Sequence, residues 1–141
     1  MEGMFHLAFA TRDLDKAKLF YGGVLNCEEG RSGSTWIDYN FFGHQLTIQY
    51  VSAMQVNPSN YFHPKTMFPA NHFGVILALE DWQVLKDKLI KEKIRFVVEP
   101  QLVFPEKTSE QRTLMIKDND SHIIEFKTFE DQNKIFKKQL T

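Results

Sequence analysis

The chain has 141 residues, of which 43% are hydrophobic and 25% charged, and its 17 basic and 18 acidic side chains nearly cancel. This length and balance fit one folded domain and exclude a disordered segment or a coiled coil. Without a basic excess we expect no nucleic-acid partner. Cys27 is the only cysteine, and the first residues, MEGMFHLAFA, carry neither a basic cluster nor a long apolar run. We therefore expect a cytoplasmic protein with no membrane segment.

The first half of the sequence begins with a strand and a helix. Residues 4–10 alternate between large apolar side chains and a face of small residues that also carries His6. Asp13 is suited to cap a helix, and the apolar residues within 14–25 recur at helical spacing. Residues 28–32 then predict a second strand. The predicted order is therefore strand, helix, strand.

A β-hairpin is predicted around Phe42 and Gly43, because the glycine supplies the positive φ that a two-residue turn needs. Its strands cover 36–41 and 44–51, and the turn fixes which residues pair across it. One face of this hairpin is apolar, and the other is polar. The polar face carries Trp36, Asp38, Asn40, Gln45, Thr47 and Gln49. Such a face is either a solvated side of a sheet or the lining of a polar cavity.

The pattern restarts in the second half, after a proline-containing linker over 53–70. His72 opens this half on a face of small residues, as His6 opens the first. The remaining elements are a strand over 72–79, a helix carrying Trp82, Leu85 and Leu89, a strand over 94–98 ending at Pro100, a loop over 101–111, and strands over 113–116 and 122–128.

The sequence therefore contains the order strand, helix and three strands twice, which predicts an α+β fold of two βαβββ modules. We place module one at 1–52, the linker at 53–70, module two at 71–130 and a C-terminal helix at 130–141. Within each module we expect mostly antiparallel strands with the helix outside the sheet.

Three residues are candidate metal ligands: His6, His72 and Glu125. Taken singly, a histidine on a strand is more often structural or exposed than a ligand. Glu125 lies within the β-like segment HIIEFKTF, where its carboxylate needs water, a cation or a metal. The matched positions of the two histidines favour convergence of all three. Two imidazoles and a carboxylate suit iron(II), zinc, nickel, manganese or cobalt.

Three stretches resemble the vicinal-oxygen-chelate superfamily, and they follow the family's order over nearly the whole chain. Residues 6–25, HLAFATRDLDKAKLFYGGVL, are similar to a module opening in which a ligand-bearing strand runs into a D-L-x-x-A-x-x-F-Y helix. Residues 71–89, NHFGVILALEDWQVLKDKL, are similar to the opening of the second module. Residues 118–126, DNDSHIIEF, resemble the ending D-P-D-G-N-x-I-E-L, whose glutamate is a metal ligand.

This family includes glyoxalase I, methylmalonyl-CoA epimerase, extradiol dioxygenases, fosfomycin-resistance enzymes and bleomycin-binding proteins. The resemblance implies paired βαβββ modules whose curved sheets enclose a metal and substrate cavity. It also implies that His6, His72 and Glu125 hold one divalent metal ion. Members of this family commonly pair their modules within or between chains, and with 13 phenylalanines this chain has aromatic residues for a dimer interface. We therefore expect a homodimer.

The sequence departs from glyoxalase I at a fourth position. That enzyme carries a glutamate in the last strand of module one, where this chain has Thr47. Gln45 and Gln49 lie on the same face, so either amide, or neither, is the fourth ligand. Asp38 lies across the hairpin from Thr47 and could supply an acid instead. We assign substrate orientation or proton transfer to Asp38, Gln45 and Gln49.

The favoured function is a metal-dependent enzyme that acts on a small oxygen-chelating substrate by dioxygenase, lyase or isomerase chemistry. The alternative is a non-catalytic protein that binds and sequesters a small molecule, as bleomycin-resistance proteins do. A third reading treats the features of the second half as structural relics. Keeping all three candidate ligands favours the enzyme. Lys127 shares the face of Glu125 and is a solvated lysine or a substrate contact.

Overall fold

The computed structural model of the chain describes most of the sequence, namely residues 1–52, 62, 64, 65 and 67–138. The chain divides into two compact units. Unit 1 comprises Met1–Pro58 with Asp118–Ser121, and unit 2 comprises Ser59–Lys117 with His122–Thr141. Each unit contains one four-stranded mixed sheet, which confirms the predicted α+β fold with two βαβββ units. The predicted linker over 53–70 lies mostly outside the described residues.

Unit 1 has the order strand, helix and three strands. Its elements are β1 (His6–Thr11), α1 (Leu14–Lys18), a π-helix (Leu19–Val24), β2 (Glu28–Ser32), β3 (Trp36–Phe41) and β4 (His44–Tyr50). The sheet order is β1-β4-β3-β2. β1 runs parallel to β4, whereas the other two pairings are antiparallel. The strand of His6 is therefore a direct neighbour of the strand that carries Gln45, Thr47 and Gln49.

The hairpin between β3 and β4 forms as predicted. Phe42 and Gly43 both have positive φ, at 52° and 88°, as a two-residue turn of this kind requires. Asp38 pairs with Thr47 across the hairpin. Because side chains alternate along each strand, this register places the polar set on one face and the apolar set on the other.

The helical segment of unit 1 differs from the single helix predicted over 14–25. Asp13 caps α1 as expected, accepting a hydrogen bond from the backbone N–H of Lys16 at 3.0 Å. Beyond Lys18 the chain continues as a π-helix, in which the N–H of Leu25 donates to the carbonyl oxygen of Phe20 at 2.9 Å. This π-helix contains two adjacent glycines, which weaken the α-helix at that point.

Tyr21 lies at the centre of the unit 1 core and is fully buried. Its ring contacts the rings of Tyr39 and Phe41, with centroids 6.0 and 6.5 Å away. Its hydroxyl donates to Oδ2 of Asp118 at 2.7 Å. Burial, together with the charge of Asp118, raises the pKa of Tyr21 well above its ordinary value. The sequence did not predict that Asp118–Ser121 belongs to unit 1.

Unit 2 repeats the order of unit 1. Its elements are β5 (Phe73–Ile76), α2 (Leu79–Lys91), β6 (Phe96–Val103), β7 (Gln111–Lys117), β8 (Ile123–Thr128) and a short 3₁₀ helix (Gln132–Lys134). The sheet order is β5-β8-β7-β6, with β5 parallel to β8. A hydrogen bond connects α2 to the sheet: the indole N–H of Trp82 donates to the carbonyl oxygen of Phe126 in β8 at 2.9 Å.

Several strand boundaries in unit 2 were predicted wrongly, and the predicted loop over 101–111 is shorter, because β6 extends to Val103 and β7 begins at Gln111. β5 ends at Ile76 rather than at 79, because α2 begins at once with Glu80 and Asp81 in its first turn, where acidic side chains favour a helix start. β6 continues through Pro100 instead of ending there. It is the edge strand, and its register shifts around this proline, so the missing N–H breaks no regular ladder.

At the C-terminus, the helix predicted over 130–141 is reduced to a 3₁₀ turn at Gln132–Lys134 in the described part of the chain. Phe136 is 94% exposed, so this segment buries too little apolar surface to hold a longer helix. Residues 139–141 lie outside the described residues. Within the described residues, no helix is long and apolar enough to cross a membrane.

We predict that Tyr21→Phe lowers the free energy of unfolding by about 1–3 kcal/mol, the usual effect of removing one hydrogen bond to a buried polar group. The partner is the buried carboxylate of Asp118. Urea unfolding followed by circular dichroism measures the change. Tyr50→Phe is the matched control, because Tyr50 is 44% exposed. Equal stability of Tyr21→Phe and Tyr50→Phe would contradict the role given to Tyr21.

Candidate metal centre

The structure brings together two of the three predicted ligands, His72 and Glu125, in unit 2. His72 immediately precedes β5, and Glu125 lies in β8, the parallel neighbour of β5. Nε2 of His72 lies 3.1 Å from Oε2 of Glu125. The pairing of Gly74 with Glu125 sets this distance, because residues 72 and 74 share one face of the strand.

Glycine is the only residue type that fits at position 74 of β5. A Cβ added there would collide with the backbone of Glu125, at its carbonyl oxygen, carbonyl carbon and amide nitrogen. Any side chain would force β5 away from β8 and carry His72 with it. The sequence predicted small residues on the face of His72, and in the structure the absence of a side chain at Gly74 is the condition for the contact between His72 and Glu125.

The orientation of the His72 ring is fixed from its other side. Nδ1 lies 2.8 Å from the carbonyl oxygen of Pro69. A carbonyl oxygen only accepts, so Nδ1 carries a proton, and in the neutral ring the lone pair is on Nε2. A ligating histidine commonly donates its second N–H to a backbone carbonyl in this way. Nε2 is therefore the atom of His72 that is available to a cation.

Glu125 is surrounded by donors and by positive charge. Its Oε1 accepts a hydrogen bond from the Thr113 hydroxyl at 2.7 Å, and its Oε2 lies 3.8 Å from Nζ of Lys127. Burial works against ionisation of Glu125, but the hydrogen bonds from His72 and Thr113 outweigh it, so its pKa lies below the ordinary value. The hydrogen bond with Glu125 in turn raises the pKa of His72, against the opposing effect of burial.

The pair fits a divalent ion. Zinc ligands lie about 2.0–2.2 Å from the ion, so two ligand atoms of a tetrahedral site lie roughly 3.3–3.6 Å apart. Nε2 and Oε2 lie 3.1 Å apart, so a small outward shift of either side chain would admit such an ion. Without a metal, the same two atoms suit an ion pair between a protonated His72 and an ionised Glu125, and a metal must displace that proton.

His6, the third predicted ligand, lies in unit 1. It is the first residue of β1 and pairs with Gln45 of β4, which in turn pairs with Asn40 of β3. Its side chain is exposed on the polar face of the sheet. Within the described residues, no group of three or more His, Cys, Asp or Glu side chains is suited to a metal ion.

Asp38 is the centre of a hydrogen-bonded network on this polar face. It is only 7% exposed. Its Oδ1 accepts from the Thr47 hydroxyl at 2.6 Å, and its Oδ2 accepts from Nε2 of Gln45 at 3.2 Å. The guanidinium of Arg31 lies 3.7 Å from Oδ2 while its side chain stays 82% exposed. The polar face is therefore an organised network around a buried charge.

Gln49, the last of the predicted site residues, is exposed at the other end of β4. It pairs with Ala10 of β1 and with Trp36 of β3. The three predicted polar residues of unit 1 thus lie on one face, with Gln45 bonded to Asp38 and Gln49 four residues beyond Gln45 along β4.

Thr113 and Arg31 contact the candidate site residues and were not predicted from the sequence. Thr113 could have been found, because the turn between β7 and β8 sets a register in which Thr113 pairs with Lys127 and therefore shares a face with Glu125. For Arg31 the sequence offered no such signal, since β2 pairs with β3 through an irregular register.

A family model described as Glyoxalase/Bleomycin resistance protein/Dioxygenase superfamily matches residues 3–126. A solved structure of a glyoxalase/bleomycin resistance protein/dioxygenase from Alicyclobacillus acidocaldarius has a TM-score of 0.79 at 26% identity, over 95% of this chain and 96% of that one. The fosfomycin resistance protein FosX from Listeria monocytogenes has a TM-score of 0.65 at 19% identity, covering 95% and 98%. A solved structure of a glyoxalase/dioxygenase from Nostoc punctiforme has a TM-score of 0.66 at 16% identity, over 87% of this chain and 88% of that one. No curated protein matches the sequence.

Proposed function

Because the chain belongs to the Glyoxalase/Bleomycin resistance protein/Dioxygenase superfamily, we propose that it is a divalent-metal-dependent enzyme acting on a small oxygen-chelating substrate. The observation that carries the proposal is the contact between Nε2 of His72 and Oε2 of Glu125. The hydrogen bond from Nδ1 of His72 to Pro69 supports it, because it leaves the ligating nitrogen of the neutral ring unprotonated. The reaction is of the dioxygenase, lyase or isomerase kind.

His6, His72 and Glu125 are the proposed metal ligands. Their donor set suits iron(II), zinc, nickel, manganese or cobalt. Such an ion, when bound, would polarise an oxygen atom of the substrate as a Lewis acid. Support for His6 comes from its matching place at the start of the first β-strand of its unit, and from its side-chain exposure there.

The polar face of unit 1 is proposed to orient the substrate and to move protons. Gln45 uses its amide nitrogen to donate to Asp38, so its amide oxygen is the atom it would offer to a cation or a substrate. Gln45 is therefore the stronger candidate for a fourth ligand, since it also pairs with His6. Asp38 is the candidate base, and Gln49 the candidate substrate contact.

A non-catalytic binding protein of the bleomycin-resistance type is the second candidate. The observation that favours it is the environment of Asp38, whose two carboxylate oxygens both accept hydrogen bonds from neighbouring side chains. A carboxylate whose two oxygens are both engaged by the protein suits a structural role on the sheet face. The single cysteine and the absence of a basic excess support a cytoplasmic protein whose partner is a small molecule.

We expect His6→Ala, His72→Ala and Glu125→Gln each to lower divalent-metal affinity by more than about 100-fold, beyond what loss of an outer partner costs, because three ligands leave no redundancy. Elemental analysis of protein purified without a histidine tag measures the bound ion. His44→Ala is the matched control, since Nδ1 of His44 accepts from the backbone N–H of Phe5 at 3.2 Å. Equal occupancy in all four variants would end the metal proposal.

Asp38→Asn separates the enzyme from the binding protein. If Asp38 is the base, this change keeps metal and ligand affinity and lowers turnover by about 10²–10⁴-fold, the usual effect of losing a general base. Turnover is measured on α-ketoaldehyde–thiol adducts, catechols, acyl-CoA thioesters and fosfomycin. A wild-type rate in Asp38→Asn refutes the base. Tight binding without turnover of any compound, with metal and oxygen supplied, favours the binding protein.

We also propose a homodimer. Large apolar side chains on the surface support it, among them Phe5, Phe62 and Phe104, which are 59%, 52% and 44% exposed. One chain has a mass of 16.5 kDa. Light scattering at micromolar concentration is expected to give twice this mass. A single-chain mass under those conditions contradicts the proposal.

A further inference from the structure

The two oxygens of the Glu125 carboxylate have different surroundings. Oε1 accepts a hydrogen bond from the Thr113 hydroxyl at 2.7 Å. Oε2 lies 3.1 Å from Nε2 of His72 and 3.8 Å from Nζ of Lys127. Oε1 is thus hydrogen-bonded to the neighbouring strand β7, and Oε2 faces His72, the other proposed ligand in unit 2.

The hydrogen bond between Thr113 and Oε1 of Glu125 is protected from water. Thr113 lies in β7, next to β8, and is only 1% exposed. Water therefore cannot easily take the place of Glu125 as the acceptor for its hydroxyl, and an unpaired buried hydroxyl is costly. An ion that used both oxygens of Glu125 would therefore compete with this bond for Oε1.

We infer that Thr113 is a positioning residue that makes Glu125 bind a divalent cation through Oε2 alone. The inference rests on the proposed metal-dependent function. A carboxylate that uses one oxygen occupies one coordination position instead of two. When a metal ion is bound, the hydroxyl of Thr113 would in this way leave a coordination position for an oxygen atom of the substrate.

Thr113→Val tests the inference, because valine keeps the shape of threonine and removes its hydroxyl. Titration of the purified protein with Co²⁺ against a competing chelator gives the affinity, and the visible absorption of the Co²⁺-loaded protein reports the number of ligands. We expect about 10–100-fold weaker Co²⁺ binding, the usual effect of losing an outer partner. We also expect an altered Co²⁺ spectrum. Thr113→Ser, which restores the hydroxyl, is expected to recover both.

Thr128→Val is the matched control. Thr128 is a fully buried threonine in β8, and its hydroxyl donates to the carbonyl oxygen of Phe129 instead of to Glu125. It should leave the Co²⁺ affinity and spectrum unchanged. If Thr113→Val does not fold, as judged by circular dichroism, Thr113→Ala removes the same hydroxyl without introducing a new methyl group.

The outcomes separate this inference from the proposed function. If Thr113→Val has the Co²⁺ affinity and the spectrum of the wild-type protein, the positioning role of Thr113 is wrong. The proposal of a metal-dependent function is not affected by that result. Equal losses in Thr113→Val and Thr113→Ser also overturn the positioning role, because they show that packing and not the hydroxyl matters. A wild-type protein that binds no Co²⁺ overturns both. Loss in Thr113→Val with recovery in Thr113→Ser supports the positioning role.

Discussion

The distance between β5 and β8 determines whether His72 can reach Glu125. Neighbouring strands lie about 4.8 Å apart, and at Gly74 a Cβ would strike the backbone of the partner strand. The pair is thus positioned by the backbone from one side and by the carbonyl oxygen of Pro69 from the other. Both constraints act on the ring of His72 before any ligand is present. A pair held in this way would bind the proposed ion with little loss of side-chain entropy.

The polar face of unit 1 is organised by side-chain contacts around the carboxyl group of Asp38. Asp38 is buried, and Thr47, Gln45 and Arg31 surround its carboxyl group with donors. The bonds from Thr47 and Gln45 engage both of its oxygens, so a substrate proton would have to compete with them for the same atoms. Structural need and catalytic use therefore compete for one carboxylate. This competition is the physical reason why an enzyme and a binding protein both suit the face.

Local patterns predicted much of this fold, whereas contacts distant in sequence were harder to foresee. The turn at Phe42 and Gly43 fixed the pairing of Asp38 with Thr47, because a two-residue turn allows one register. Strand periodicity likewise predicted the face of Glu125. Pro100 misled the prediction, because an edge strand tolerates a residue without an N–H, and edge position is a property of the whole sheet. The partnership of Tyr21 with Asp118 spans most of the chain and has no local signature.

The π-helix at Leu19–Val24 has a consequence for insertions and deletions. Its hydrogen bonds step back five residues, so this turn holds one residue more than an α-helical turn. Gly23 is exposed, and an added Cβ there would meet no atom within 4 Å. Loss of one residue at this point would tighten the turn to the α-helical spacing while the flanking residues stay in phase. Relatives that are one residue shorter between β1 and β2 would thus differ in hydrogen-bond spacing and not in fold.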